Sequence, residues 1–333
     1  MNKKYKVAIV GATGLVGRTV LKVLEEKNMS YLNYTLFSSE KSSGSKINFF
    51  NMNYIVCKLD ERSFNQNFDF AFFCAGGSVS EKYIPIAVSK GCTVIDNSSV
   101  FRMAEDVPLV VPEVNSERIF NNKGIIANPN CSTIQAVLPL KPLDDNYKIK
   151  RIIYSTYQAV SGAGRLGIED LEKKSNNDNL QKFSYSIYNN CIPHIDDFTQ
   201  DGYTKEEHKM INETRKILNK PHLPITATAV RVPVVNCHGE SINVEFEEDF
   251  DIYDIKVMLQ NFPGIIVVDD PEKNYYPLAS KANGNNEVFV GRIRRDFSVN
   301  YGINLWVVAD NLRKGAATNA VQIAELLLKY DLV

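Results

Sequence analysis

The chain has almost no net charge: its 333 residues carry 38 Lys+Arg against 39 Asp+Glu, a formal charge of −1. Such a balance supplies no bulk attraction to DNA, RNA or anionic membranes. No apolar stretch approaches the ~20 residues that span a bilayer. Behind the basic start Met1-Asn2-Lys3-Lys4, the apolar run Val7-Ala8-Ile9-Val10 is too short for a secretory signal. A cytoplasmic protein without nucleic-acid or membrane partners is the expectation. Cysteine is also scarce, with six residues and no CxxC pair. Most sit in apolar runs such as Phe70-Ala71-Phe72-Phe73-Cys74, which fits free, buried thiols in a reducing compartment better than a disulfide framework. Cys191-Ile192-Pro193-His194 and Cys237-His238 lack the repeated spacing of a structural zinc site, so no metal is expected.

What is present is a hydrophobic content of 44%, enough for the cores of two fused domains. The first part alternates strand-like runs with helices. Tyr5 to Val10, Tyr34 to Phe37, Asn53 to Lys58, Phe68 to Cys74 and Cys92 to Asp96 read as strands, and Leu15 to Glu26 and Ser80 to Lys90 as helices. This alternation predicts an α/β fold, a Rossmann-type domain with a parallel, doubly wound sheet. After Cys131, strands outnumber helices, predicting an α+β domain with a mixed sheet. The helical spacing of Leu312, Ala316, Ala320, Ile323 and Leu327 predicts a terminal helix that returns to the first domain. The expected division is 1–130 plus 311–333 for dinucleotide binding and 131–310 for the second domain. The Asn- and Ser-rich segment 175–190 reads as a surface loop.

Gly11-Ala12-Thr13-Gly14-Leu15-Val16-Gly17 joins the opening strand to the first helix. Glycine there lets backbone N–H groups approach a pyrophosphate at the positive end of a helix. The spacing is GxxGxxG, so the position between strand and helix carries the argument, and a plain tight turn is the alternative. Gly11, Thr13, Gly14, Leu15 and Val16 are the candidate contacts. The second strand should end near the adenosine ribose, where an NAD site would place Asp or Glu. Here it runs into Ser38-Ser39-Glu40-Lys41-Ser42. The hydroxyls of Ser39 and Ser42 with the Lys41 ammonium suit a 2′-phosphate, so NADP is the expected cofactor, provided Glu40 points outward.

In Asn128-Pro129-Asn130-Cys131-Ser132-Thr133, Asn130 is a natural N-cap, which puts Cys131 in the first turn of a helix. Free amides and the helix dipole there favour a thiolate, the nucleophilic form. Beside a nicotinamide, a thiolate can attack an aldehyde so that hydride leaves the thiohemiacetal.

With these residues in view, the sequence resembles aspartate-semialdehyde dehydrogenase, particularly the branch common in Gram-positive bacteria. GATGLVG, NSSVFRM, VVPEVN, NPNCST, STYQAVSGAG, YTKEEHKM, RVPVVNCHGES, FVGRIRRD and DNLRKGAA follow family order over nearly the whole chain. The resemblance makes Cys131 the nucleophile, His238 the general acid/base and Gln158 the residue orienting substrate. It assigns Arg102, Asn130, Glu206, Lys209 and Arg231 to substrate and phosphate, and Ser161, Gly162 and Asn311 to the nicotinamide half of the cofactor. It implies NADP-dependent interconversion of L-aspartyl 4-phosphate and L-aspartate 4-semialdehyde in lysine, threonine and methionine synthesis, by a homodimer whose second domain both catalyses and dimerises. A related reductase of N-acetyl-glutamyl phosphate or a malonyl thioester is the alternative. Arg231 and His238 differ by seven, which an unbroken strand would put on opposite faces, so a bend is expected near Pro233 and Asn236. His208 stands where an apolar residue is usual, and the sequence offers no role for it.

Overall fold

The computed structural model describes residues 5–173 and 179–333. The chain forms two compact units, Met1–Pro129 with Ala316–Val333, and Asn130–Gly315.

The first unit begins β1 (Lys6–Val10), α1 (Leu15–Glu26) and β2 (Asn33–Ser38), continues through the hairpin β3 (Lys46–Phe49) and β4 (Met52–Ile55), and rejoins the sheet at β5 (Cys57–Lys58). Next come β6 (Phe70–Phe73), α2 (Gly77–Ser89), β7 (Thr93–Asp96), α3 (Pro112–Asn115) and β8 (Ile125–Ala127). The order β5-β2-β1-β6-β7-β8 is parallel throughout. A sheet covered on both faces needs apolar residues at every position, and Val7 to Val10 meet that need. Val7 and Ile9 pack with Val20 and Leu24 of α1 on one face, and Ala8 and Val10 with Phe37, Phe73 and Ile84 on the other. The expected strand Asn53 to Lys58 is divided instead. Phe50 and Asn51 take left-handed φ values of 49° and 57°, turning the chain tightly enough to pair Lys46–Phe49 with Met52–Ile55.

The second unit contains α4 (Cys131–Tyr147), β9 (Ile149–Gln158), α5 (Arg165–Glu172), α6 (Lys205–Ile217), β10 (Ile225–Arg231), β11 (His238–Phe246), α7 (Ile252–Asn261), β12 (Ile265–Val267), α8 (Ala279–Ala282), β13 (Val288–Asp296) and β14 (Gly302–Ala309). Its sheet order is β10-β9-β11-β14-β13-β12, with parallel pairs β10/β9 and β12/β13 and antiparallel pairs between β9 and β13. Arg231 is therefore in register with Gln158, and Gly239 with Tyr157, so the end of β9 lies between the end of β10 and the start of β11. Within the segment expected as a loop, 175–178 lie outside the described residues, and 179–190 hold no helix or strand. The buried Asp170 of α5 anchors that stretch by accepting the N–H groups of Gln181, Lys182 and Phe183.

The chain then returns to the first unit through α9 (Thr318–Lys329), after a π-helical turn at Arg313–Ala317. The helix expected from Leu312 onward thus becomes regular six residues later. Ala320, Val321, Ile323, Ala324 and Leu327 join the core of Val7 and Ile9, and Asn319 Nδ2 donates to Val110 O (2.9 Å) and Asn128 Oδ1 (2.7 Å).

Two glycines in the first loop are sterically required. Gly11 has φ +83°, with Cys74 carbonyl atoms 2.8 Å from where a Cβ would stand. At Gly17 a Cβ would lie 2.2 Å from Gly11 O. Replacing Gly17 by Ala is therefore expected to cost about 1–3 kcal/mol through overpacking, seen as a lower urea midpoint at an unchanged slope.

Candidate active site

Asn130 caps α4, its Oδ1 accepting the N–H groups of Ser132 (3.0 Å) and Thr133 (3.3 Å). The remainder of that residue fixes it to α6: its N–H donates to Glu213 Oε2 (2.6 Å) and its Nδ2 to Glu206 Oε1 (2.9 Å). Cys131 follows as the first residue of the helix, half-buried, with its Sγ 3.2 Å from His238 Nε2. The Ala159 N–H donates to His238 Nδ1 (2.9 Å), so that nitrogen carries a lone pair and the proton resides on Nε2, facing sulfur. Burial and the nearby Arg231 charge push the imidazole pKa down to about 3, against the opposing pull of Glu206. The ring is neutral at ordinary pH and serves as a donor that favours a thiolate beside it.

Between Arg231 and His238 the chain bends at Pro233 and Asn236, as expected, and leaves the sheet there. Arg231 ends β10 and His238 begins β11, on opposite sides of β9, and Cys237 at φ +75° delivers His238 into the sheet. A Cβ on Gly162 would stand 3.0 Å from Arg231 Nη1 and 3.4 Å from His238 Nε2, so these two groups converge where residue 162 must lack a side chain. Arg231 Nη1 donates to Ala159 O (2.7 Å), and its buried Nε has no partner among the described residues.

Glu206 is buried on α6. Its Oε1 accepts from Asn130 Nδ2 and from Gln158 Nε2 (3.1 Å), and its Oε2 from Lys209 Nζ (3.1 Å). Burial works against its charge, but Lys209 and the two amides outweigh it and hold the pKa below the usual value. Lys209 also donates to Asp196 Oδ2 (2.7 Å). Burial opposes the ammonium charge, whereas Glu206 and Asp196 favour it, and the pKa ends up raised. Thr156 Oγ1 donates to Gln158 Oε1 (3.0 Å) and sets that amide's orientation. Ser161 and Asn311 bond side chain to side chain (3.0 Å), and Asn311 Oδ1 accepts the Cys237 N–H (2.9 Å). The second unit thus gathers Asn130, Cys131, Gln158, Glu206, Arg231 and His238 around the C-terminal end of β9, with Lys209 bound to Glu206 and the Ser161–Asn311 pair behind Cys237. His208 lies 3.1 Å from Asp201 on the half-exposed side of α6.

In the first unit, Arg102 is buried, donating through Nε to Asn128 O (2.9 Å) and through Nη2 to Asn97 O (2.8 Å). Gly11, Thr13, Gly14, Leu15 and Val16 form the β1–α1 turn, where no side chain caps the first amides of α1. Those amides fit a pyrophosphate. Ser39 and Lys41 are exposed and Ser42 half-buried on the turn after β2. Glu40 points outward and pairs with Lys58 Nζ (2.9 Å), whose strand is in register with Ser38. Lys58 thus offsets the carboxylate that counted against a phosphate site. Sequence reasoning missed it, as it missed Ala159, Glu213 and Asp196; a backbone N–H such as that of Ala159 leaves no mark in residue type.

The family comparisons agree with this division. Residues 6–122 match the model described as semialdehyde dehydrogenase, NAD binding domain, and 140–314 the model described as semialdehyde dehydrogenase, dimerisation domain. Those matches define the class, the semialdehyde dehydrogenases. The chain is 52% identical over 338 residues to aspartate-semialdehyde dehydrogenase of Aquifex aeolicus, covering 99% of each. Its fold superposes with a TM-score of 0.94 and 46% identity on aspartate semialdehyde dehydrogenase II from Vibrio cholerae complexed with ASA, covering 98% of this chain and 99% of that one. The corresponding values for the Candida albicans enzyme with NADP are 0.77 and 25%, covering 99% and 100%. The chain belongs to the aspartate-semialdehyde dehydrogenase family.

Because His238 is neutral in the fold and titrates near 6.5 when unfolded, the unfolded chain takes up the extra proton between these values. The contribution to stability is present above pH 6.5 and lost as pH falls toward 3. Replacing His238 by Gln is expected to flatten the decline in Tm across that window; an unchanged slope would refute the neutral assignment.

Proposed function

We propose that this enzyme interconverts L-aspartyl 4-phosphate and L-aspartate 4-semialdehyde, with NADP and inorganic phosphate, through a thioester on Cys131. The observation that carries the reading is the 3.2 Å Cys131 Sγ–His238 Nε2 pair set among an arginine and a buried, ionised glutamate. An amino acid bears one carboxylate and one ammonium. Arg231, with Nε available, suits the first through its planar fork. Glu206 accepts three hydrogen bonds where a carboxylate accommodates about four, leaving room for the second. An acetylated amine carries no such cation, which favours aspartyl phosphate over N-acetyl-glutamyl phosphate.

In the reductive direction the Cys131 thiolate attacks the acyl carbon, the bond to phosphate breaks and phosphate departs. A dinucleotide held by the first unit would supply the hydride that reduces the thioester. The resulting alkoxide accepts a hydrogen bond from His238 Nε2–H and collapses to aldehyde, returning the electron pair to sulfur. The residue expected as a general acid/base thus enters as a neutral donor; full proton transfer first requires Nδ1 to exchange its Ala159 bond for a proton. Gln158 orients the acyl group, and Asn130, Lys209 and Arg102 are the proposed substrate and phosphate contacts. Lys209 uses two of its three N–H donors on Glu206 and Asp196.

Ser39, Lys41 and Ser42, with Lys58 balancing Glu40, support NADP over NAD, and Ser161, Gly162 and Asn311 are assigned to the nicotinamide half. The first unit serves the dinucleotide and the second catalysis and pairing into a homodimer. The motif blocks support the branch common in Gram-positive bacteria, and a cytoplasmic role in lysine, threonine and methionine synthesis follows from the reaction. Among the described residues no helix is long and apolar enough to cross a membrane.

Purified enzyme is expected to reduce NADP with aspartate semialdehyde only when phosphate is supplied, and to bind NADP at least about tenfold more tightly than NAD, the worth of one charged hydrogen bond. Cys131→Ala should abolish turnover while NADP titration remains normal. Turnover by that variant would overturn the reading.

A further inference from the structure

Glu240 lies two residues beyond His238 on β11, so both side chains leave the same face of the sheet. It is 0% exposed, and neither carboxyl oxygen has a hydrogen-bond partner among the described residues. Its sheet neighbours are Thr156 on β9 and Val307 on β14. Helix α4 packs on this strand, and its Gln135 Nε2 donates to the His238 carbonyl (3.2 Å). On α4 two buried side-chain oxygens, Ser132 Oγ and Gln135 Oε1, are also without partners among the described residues. A carboxylate here would be an unpaired charge in the interior, an arrangement that proteins avoid by neutralising the group. A protonated acid instead carries a donor, which the amide oxygen Gln135 Oε1 cannot supply for itself.

We propose that Glu240 is a positioning residue that holds a proton behind the Cys131–His238 pair, so that the nucleophile's helical turn meets a neutral donor and not a carboxylate. The titratable groups that act on it are Glu206 on α6 and Tyr154 on β9, with His238 two residues away on β11. Burial raises the Glu240 pKa well above 4.5; the Ser132 hydroxyl opposes that shift and the Glu206 charge adds to it. The functional part rests on Cys131 and His238 being the reacting pair. With Glu240 neutral, the negative charge of a thiolate meets no second anion from β11, and the Gln135 amide that holds the His238 backbone gains a fixed partner.

The sign of the linkage supplies a test independent of turnover. Above about pH 4.5 the unfolded chain gives up this proton and the native protein keeps it, so native stability falls as pH rises toward the native pKa. Glu240→Gln, which keeps shape and neutrality, removes that penalty. The difference in Tm between Glu240→Gln and the parent enzyme is expected to widen in favour of the variant from pH 5 to pH 8. In the forward assay at pH 7.5, Glu240→Leu should lower kcat about tenfold, the size of one buried hydrogen bond, and Glu240→Gln should restore most of it. A Tm difference that stays flat with pH overturns the held proton, whatever the substrate proves to be. A Gln variant no faster than the Leu variant overturns the positioning role.

Discussion

The site depends on the bond from the Ala159 N–H to His238 Nδ1. A backbone amide can donate but never accept, so this contact leaves the ring one arrangement, with its remaining proton directed at sulfur. An imidazolium would set two donors against each other, and burial beside Arg231 outweighs the compensation that Glu206 offers. A thiolate is therefore favoured by a fixed dipole together with the first turn of α4 and the nearby Arg231 charge, and not by an imidazolium. Preorganised dipoles of this sort need no rearrangement when charge develops on the substrate.

The charges around that pair are assembled economically. Asn130 caps the nucleophile's helix, and its other polar atoms bind two carboxylates of α6. Helix geometry, the ionised state of Glu206 and the direction of Gln158 are consequently coupled: moving one shifts the others. Positive groups are held to the same standard, since Lys209 and Arg231 each keep an internal acceptor and retain further N–H donors.

Much of this was legible in the sequence because the features concerned are local. Alternating apolar runs specify a sheet covered on both faces, and α1 matches the helix read from periodicity. The asparagine before Cys131 predicts its own cap. What the sequence concealed depends on tertiary placement. The hairpin of β3 and β4 arises from two non-glycine residues in a left-handed turn, which propensity disfavours. The convergence of Arg231 and His238 comes from strand order, which a seven-residue separation cannot express. Glu240, two places from a recognised histidine, resembles any polar strand residue until its surroundings are known, and Lys58 acquires meaning only through its register with Ser38.

The return of α9 to the first unit has a consequence for how the protein is made. The core around Val7 and Ile9 is closed by Ala320, Ile323 and Leu327. On the ribosome, the amino-terminal sheet emerges early yet waits for nearly the entire chain before its last wall arrives. Residues 130–315 carry no such debt to α9 and can consolidate sooner, reversing the usual order in which domains mature. During that interval the face of the parallel sheet that carries Val7 and Ile9 is walled by α1 alone where α9 will later close it.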